Sequence, residues 1–302
     1  MIRYSTSTAL ALLLAFALLP AKPVYAQPPD SGAAQPPAAA ADPAAQAPDS
    51  SDDDHAKLRL AEPDFETINL PTTLPLPRHG MTFHLSHRFN EDLAGDSFGT
   101  QVSNLFGLDT GANIGLEFRY GVTKHLEAIV LRTSIGRTFQ FTAKYDGWHQ
   151  TAKMPVGISG IVSIEGENNF HNTDGGAQAN FAPALGAIVS RTIGDRVALY
   201  ATPMWVHNTG TGSAETVDTG FLGIGGRARL HGGTYLVAEV SPRIGGLAIG
   251  TAEYAFAIEE RVGAHVFSLT FSNSAGTTYR QLAHGGVPEH LTLGFNLTRK
   301  FY

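Results

Sequence analysis

A long stretch of period-two alternation is the sequence feature that most constrains the fold of this chain. From about Gly80 to Tyr302, large apolar side chains alternate with polar or small ones. The segments MTFHLSHRF at 81–89 and LTLGFNLTRK at 291–300 show the pattern at the two ends of this region. Because successive side chains of a strand point to opposite faces, the pattern predicts β-strands with one apolar and one polar face.

A membrane barrel and a soluble sandwich both alternate in this way, so the connections between strands have to decide between them. We predict twelve strands, which lie near 80–90, 112–121, 125–134, 137–147, 153–165, 181–193, 196–207, 219–231, 234–242, 253–260, 264–272 and 290–301. Long and short connections alternate between them, with one exception at Ile135-Gly136, where an outer connection is short. Bacterial barrels have tight turns on the periplasmic side and longer loops outside. The sequence therefore predicts an all-β protein, a transmembrane antiparallel β-barrel of about 12 strands spanning residues 80–302.

The first 79 residues differ in composition from the barrel region. Residues 1–26 carry a basic Arg3 and a short apolar run and end in Val24-Tyr25-Ala26, which is typical of a cleaved signal peptide. Residues 27–57 are rich in Pro, Ala and Asp and are expected to form a disordered linker. Residues 58–79 are expected to be an extended periplasmic lead-in. Together these segments predict export to the bacterial outer membrane.

Charge and composition exclude several classes of function. The formal net charge is -6 and the chain contains no Cys, so disulfide scaffolds, thiolate metal sites and a Cys nucleophile are ruled out. No dense basic patch suggests a nucleic-acid partner. The histidines lack spacing such as His-x-x-x-His, so no metal and no other cofactor is expected.

Several motifs are similar to those of an uncharacterised bacterial family of outer-membrane β-barrel proteins that carry a domain of unknown function. The resemblance rests on the motifs Ser86-His87-Arg88-Phe89, Asn104-Leu105-Phe106-Gly107-Leu108-Asp109, Tyr120-Gly121-Val122-Thr123 and Lys144-Tyr145. It runs from about Phe65 to Tyr302. It implies a barrel fold and an envelope location, and it implies no catalytic residues.

Charged residues on the polar rows are the candidates for lining the lumen. They are Arg88, Glu117, Arg119, Lys144, Arg227, Arg229, Glu239 and Glu259. Such residues either set the selectivity of a narrow, water-filled channel or pair across the lumen and fill it, which would leave an envelope scaffold. The sequence leaves both alternatives open. It names neither a substrate nor an oligomeric state.

The final strand carries features that the barrel-assembly machinery is expected to recognise. These are the alternating residues and terminal aromatics Gly294, Phe295, Leu297, Phe301 and Tyr302. Besides this machinery, the expected partners are outer-membrane lipids.

Two alternatives are kept beside the barrel conduit or scaffold. An outer-membrane lipid hydrolase could use His84 and Ser86, which share one strand face. That face is predicted to be the inner one, away from lipid, so we expect no enzymatic activity. Glu165 and Glu167 fall at a loop and are expected to be solvated. The other alternative is a soluble periplasmic β-sandwich that acts as a binding module.

Overall fold

The computed structural model of the protein describes residues 60–95, 97–108, 111–171, 181–210, 217–248 and 250–302. The predicted signal peptide, 1–26, and the predicted linker, 27–57, lie outside the described residues.

Thirteen antiparallel strands form one sheet. They are β1 Met81–Phe89, β2 Ala112–Gly121, β3 Leu126–Thr133, β4 Phe139–Trp148, β5 Gly157–Gly166, β6 Phe181–Ile193, β7 Val197–Val206, β8 Thr219–His231, β9 Thr234–Ser241, β10 Arg243–Gly245, β11 Glu253–Val262, β12 His265–Ser272 and β13 Thr292–Lys300. The pairings β1–β13 and β8–β9 close this sheet into a ring, and the short β10 pairs only with β8. The fold is therefore a closed antiparallel barrel of twelve strands with β10 as an extra edge, as the sequence predicted except for β10.

The connections differ between the two ends of the barrel. At one end, here called the turn end, they span 122–125, 149–156, 194–196, 232–233 and 263–264. At the other, here called the loop end, they span 90–111, 134–138, 167–180, 207–218, 242–252 and 273–291. This is the predicted alternation, and the largest shift in a strand start is at β5, which begins at Gly157 instead of 153.

Short helical elements lie in the described parts of the loop-end connections. These are α1 Phe98–Ser103, α2 Tyr279–Ala283 and three 3₁₀ turns at Leu105–Gly107, Ile135–Arg137 and Asn168–Phe170. Among the described residues, no helix has the length and apolar character needed to cross a bilayer.

One of the two-residue turns shows why glycine stands at this end of the barrel. Gly232 and Gly233 alone join β8 to β9, and Gly232 has a φ of 54°. Residues with a Cβ adopt this left-handed conformation only rarely, and two-residue hairpins favour it because it matches the strand twist.

Burial follows the alternation, with the apolar face outside. Phe118 is 52% exposed and Phe141 is 45% exposed, while Arg119, which follows Phe118 on the same strand, is 2% exposed. A soluble sandwich would bury the aromatic row as its core. The ring closure and the outward apolar belt therefore exclude the sandwich alternative and agree with a barrel whose apolar side chains contact lipid.

Candidate functional site: the barrel interior

The lumen contains a segment of the chain itself. Residues 61–74 include buried side chains such as Phe65 and Leu70, at 2% and 0% exposure. The segment folds back on itself: Thr67 N donates to Leu70 O at 2.8 Å, and Thr72 N donates to Phe65 O at 2.8 Å. It therefore forms a narrow hairpin-like loop inside the barrel. Here residues 60–79 are called the inner segment.

Both ends of the inner segment lie at the turn end. The Tyr235 hydroxyl, at the start of β9, donates to Leu60 O at 2.7 Å. His79 N donates to Gly121 O, at the end of β2, at 2.7 Å. This corrects the expectation of an extended periplasmic lead-in at 58–79, because residues 61–76 lie inside the barrel, while residues 58–59 lie outside the described residues. The reason is that its polar groups find partners on the wall and its apolar side chains find burial there.

Glu239 of β9 holds the tip of the inner segment. Its carboxylate accepts hydrogen bonds from three consecutive backbone N–H groups, those of Ile68, Asn69 and Leu70, at 2.9 to 3.2 Å. The Thr67 hydroxyl donates to the same carboxylate at 2.5 Å. A carboxylate satisfied by several backbone donors is a strong, charge-assisted anchor.

The arginines of the wall bind the inner segment near the turn end. Arg119 Nη2 donates to Glu66 Oε1 at 2.6 Å, and Arg119 Nε donates to Glu117 Oε1 at 2.5 Å. Arg227 Nη2 donates to Glu66 O at 2.8 Å and to Glu259 Oε2 at 2.9 Å. Each guanidinium thus bridges a carboxylate of the wall and an oxygen of the segment.

Lys144 and Arg88 bind other parts of the inner segment. Lys144 Nζ donates to Thr72 O at 3.1 Å and to Leu74 O at 2.7 Å. Arg88 Nη2 donates to Asn69 Oδ1 at 3.0 Å, and Arg88 is completely buried. The segment is therefore tied to strands on several sides of the lumen.

The structure places the eight sequence-predicted lumen residues as follows. Seven are buried on the inner face and bind the inner segment directly or through a partner: Arg88, Glu117, Arg119, Lys144, Arg227, Glu239 and Glu259. The eighth, Arg229, lies half-buried at the turn end, where Nη1 contacts Asp195 Oδ2 at 3.0 Å.

Sequence reasoning missed further buried acids of the wall. Glu127 contacts Lys144 Nζ at 3.1 Å and accepts from Leu76 N at 2.8 Å, and Glu253 accepts from the Asn69 side-chain amide at 3.2 Å. Asp146 lies 3.5 Å from Lys144 Nζ. The signal was present, because these acids fall on the polar rows of β3, β11 and β4.

Glycines make room for the inner segment. A Cβ on Gly223 would lie 2.7 Å from Leu70 Cδ2, closer than side chains tolerate. A Cβ on Gly225 would lie 3.2 Å from Thr67 Cγ2. These inward glycines of β8 therefore form the surface against which the segment tip packs, here called the seat of the tip.

Helix α2 occupies the lumen from the loop end. Leu282 and Ala283 are 0% exposed, and they share one apolar cluster with wall residues on β5 to β8. Those wall residues are Ile161, Ala182, Ala184, Ile188, Ala198, Tyr200, Met204, Val206 and Phe221. Leu70 of the inner segment belongs to the same cluster. An apolar region inside the barrel was not predicted from the sequence.

The start of α2 is fixed by Glu165, which corrects the expectation that this residue is solvated. Thr278 Oγ1 donates to Glu165 at 3.1 Å, and Arg280 N donates to it at 3.2 Å. Thr278 and Gln281 also form a capping box, a local sequence pattern that begins helices. Glu165 is 2% exposed, because a carboxylate is stabilised at a helix N-terminus.

The residues around α2 complete its attachment. Arg280 Nη1 contacts Glu167 Oε1 at 3.0 Å, so Glu167 is paired there. His284 Nε2 lies 2.7 Å from Thr209 O. Burial lowers the pKa of His284, so the neutral ring with a proton on Nε2 makes this bond.

His84 and Ser86 lie under the inner segment on the inner face, as predicted. His84 Nδ1 contacts Thr298 Oγ1 at 2.8 Å, and its Nε2 lies 3.4 Å from Glu66 Oε2. Ser86 is buried at 4% exposure. Neither side chain faces the lipid belt.

The residues predicted as an assembly signal divide between strand and terminus. Gly294 faces inward, and a Cβ there would lie 2.9 Å from Arg88 Cδ, so this glycine admits the buried arginine. Phe295 faces outward and stacks on His87, with ring centroids 4.8 Å apart. Leu297 continues the outward row of β13, and Phe301 and Tyr302 are exposed beyond it.

The comparison with protein families decides the membership of the chain. A family model described as "Membrane bound beta barrel domain (DUF5777)" matches residues 64–301. The chain belongs to this family. Since the DUF5777 match begins at residue 64, it includes most of the inner segment as well as the barrel wall. The function of the DUF5777 domain is unknown.

Comparisons with individual proteins give weaker similarities than the family model does. No curated protein matches the chain. Among solved structures, OmpT from Vibrio cholerae in a trimer form is 8% identical, with 74% of this DUF5777 chain and 98% of that chain covered and a TM-score of 0.37. OmpF from Salmonella typhi in complex with daunomycin is 13% identical, with 62% of this chain and 61% of that chain covered and a TM-score of 0.33. The outer-membrane channel DcaP of Acinetobacter baumannii is 9% identical, with 74% of this chain and 96% of that chain covered and a TM-score of 0.31.

Proposed function

We propose that the protein is an outer-membrane conduit that is closed at rest, with the inner segment as its gate. The observation that carries this proposal is that residues of the chain itself fill the lumen and are held there by non-covalent contacts. Export by the signal peptide 1–26 and insertion by the barrel-assembly machinery, through the last strand, are part of the proposal. The turn end then faces the periplasm.

The polar contacts between the inner segment and the wall support the proposal that the segment can withdraw from the lumen. Ile68 and Leu70 of the segment pack against apolar wall residues. Many of its hydrogen bonds are made with charged wall groups, including Glu239, Arg119 and Lys144, which contact carboxylate, hydroxyl and backbone groups of the segment. Water can replace such partners when the segment withdraws, whereas an exposed apolar wall would be penalised. A lumen freed of the segment would therefore be lined by charges that a water-filled pore requires.

The inner segment can withdraw from the lumen without any part of the chain being threaded through the barrel. The segment enters at Leu60 and leaves at His79, and both contacts are at the turn end. It can therefore move as a loop toward the periplasm while β1 stays paired with β2 and β13.

We assign no hydrolytic role to His84 and Ser86. A lipid hydrolase needs its nucleophile and base on the side where lipid lies, and here both residues are buried on the inner face of the barrel. The contacts of His84 with Thr298 and Glu66 serve to hold that segment.

The gate is tested by Glu239→Gln in the full-length barrel. Neutralising the carboxylate weakens the charge-assisted bonds to Ile68, Asn69 and Leu70 while it keeps the size of the side chain. We expect channel openings in planar bilayers to become at least about tenfold more frequent, since about 1.4 kcal/mol corresponds to that factor.

Glu260→Gln is the matched control, because Glu260 is exposed at the turn end and bonds Thr234 instead of the segment. Both variants must show the heat-dependent gel mobility of a closed barrel. If such folded Glu239→Gln protein opens no more often than the parent, the gate is refuted, and the barrel is better described as a scaffold.

A further inference from the structure

Basic side chains surround much of the turn end. The residues concerned, here called the basic rim, are Arg78, Lys124, Lys153, Arg191, Arg196 and Arg299. All six are exposed. They follow one another along β13, β1 and the turns up to β7, so they form an arc around the barrel and not a single cluster.

The basic rim lacks acidic partners in the part of the chain that the structure describes. None of its six residues has a carboxylate of the described residues within 4.0 Å. Asp195 and Glu260, which lie at this end, have other partners: Asp195 pairs with Arg229, and Glu260 accepts from Thr234 at 2.5 Å. Among the described residues, the positive charge of the rim is therefore not neutralised by neighbouring carboxylates.

The position of the basic rim corresponds to the lipid headgroups. Arg191 lies on the same outward row as Leu185 and Val189, and Arg299 lies on the outward row of Phe295 and Leu297. Long basic side chains at the ends of lipid-facing rows extend toward the interface, where phosphates lie.

Aromatic side chains mark the same level. Tyr145 and Trp148 are 57% and 62% exposed beside the turns that carry Lys124 and Lys153. Tyrosine and tryptophan favour the membrane–water interface. The His125 and His149 rings, with centroids 6.2 Å apart, connect these two turns.

The loop end has the opposite character. Its connections carry acids that the structure places at the surface or half-buried: Glu91, Asp92, Glu167, Asp218 and Glu289. Exposed Arg137 is an isolated basic side chain there. The two ends of the barrel are therefore charged differently, and the rim is not a general property of the surface.

We propose that the basic rim binds the phosphate headgroups of anionic phospholipids in the leaflet at the turn end. The arc shape fits the ring of lipid around a barrel, and the outward direction of Arg191 and Arg299 points to lipid instead of a soluble partner. Five of the six rim residues lie outside the inner segment, and Arg78, which belongs to it, lies at its exposed end and away from the tip, so the proposal does not depend on the gate.

The two tryptophans of the chain make the proposal testable at each end. Trp148 lies beside the basic rim, and Trp205 lies near the end of β7 at the loop end. Trp205→Phe leaves Trp148 as the single reporter, and Trp148→Phe leaves Trp205. Each barrel is folded into vesicles that contain brominated phosphatidylglycerol or, separately, brominated phosphatidylcholine at the same fraction.

We expect brominated phosphatidylglycerol to quench Trp148 at least about twofold more than brominated phosphatidylcholine at low salt, with the difference lost at high salt. Trp205 should show no such preference. Lys124→Gln with Lys153→Gln should abolish the preference at Trp148, and Arg137→Gln should leave it intact.

Equal quenching of Trp148 by the two lipids at low salt would overturn the proposal. So would a preference that survives the double lysine substitution in protein that keeps its heat-dependent gel mobility. Retention of the parent on purified peptidoglycan, lost with the same substitutions and without lipid preference, would assign the basic rim to the cell wall instead.

Discussion

The two segments that fill the lumen are held by different chemistry. The inner segment enters from the turn end and is held mainly by charged groups of the wall, such as Glu239 and Arg119. Helix α2 enters from the loop end and packs Leu282 and Ala283 against an apolar wall. One barrel thus has a charged half and an apolar half, each with its own occupant.

The difference indicates which occupant can move. Separation of the inner segment exposes charged wall groups, which water solvates, as well as apolar side chains such as Ile68 and Leu70, while separation of α2 exposes mainly apolar surface to water. The helix is in addition fixed at its first turn by Glu165 and Thr278. We therefore regard α2 as a permanent lining of the β5–β8 side of the lumen and the inner segment as the movable part.

The largest effect is expected from filling the seat of the segment tip. In Gly223→Val, the new side chain occupies the space of Leu70 and should displace the inner segment toward the turn end, because overpacking a tight contact costs about 1–3 kcal/mol. Chymotrypsin cleavage at Phe65, which is 2% exposed in the parent, should become at least about tenfold faster.

Gly226→Val is the control for this prediction. Gly226 belongs to the outward row of β8, and its Cβ would meet Leu199 instead of the inner segment. Cleavage at Phe65 that is equally slow in both variants would show that the seat at Gly223 does not hold the segment.

A smaller and different effect is expected at the apolar half. Leu282→Ala leaves a cavity beside a fully buried position and should lower the free energy of unfolding by about 2–5 kcal/mol, as denaturant titration would measure. Exposed Val287, in the same loop, provides the control Val287→Ala.

Leu282→Ala also tests whether the inner segment and α2 move independently. Chymotrypsin cleavage at Phe65 should remain as slow as in the parent, because the wall charges still hold the inner segment. Since Leu70 and Leu282 share one cluster, cleavage as fast as in Gly223→Val would show instead that the two occupants leave together.

The barrel wall was predictable because lipid on one side and the lumen on the other impose the same period-two pattern on every strand. Phe141 and Phe118 had to face outward for that reason, and the structure has them exposed. The short β10 was missed, since three residues are too few to show a period.

The contents of the lumen were less predictable. The inner segment, with Phe65 and Leu70 among prolines, has no period, and its partners such as Glu239 lie about 170 residues away in the chain. The pairing of Glu66 with Arg119 likewise depends on the closed ring and on no local pattern. The capping box at Thr278 and Gln281 was a visible helix signal, but it did not indicate that α2 turns inward.

A reversible disulfide between the inner segment and the wall tests directly whether the segment is a gate. Thr73 Oγ1 and Ser190 Oγ are 2.5 Å apart, and the chain has no cysteine of its own, so Thr73→Cys with Ser190→Cys should form a single disulfide between segment and wall. Conductance is then recorded in planar bilayers before and after a reducing agent is added, in a Glu239→Gln background that favours opening.

We expect a silent barrel while the disulfide is intact and openings that appear after reduction, as a gate formed by the inner segment requires. Openings of the same size and frequency in the oxidised and reduced states would contradict it, because ions would then pass a lumen from which the inner segment cannot withdraw.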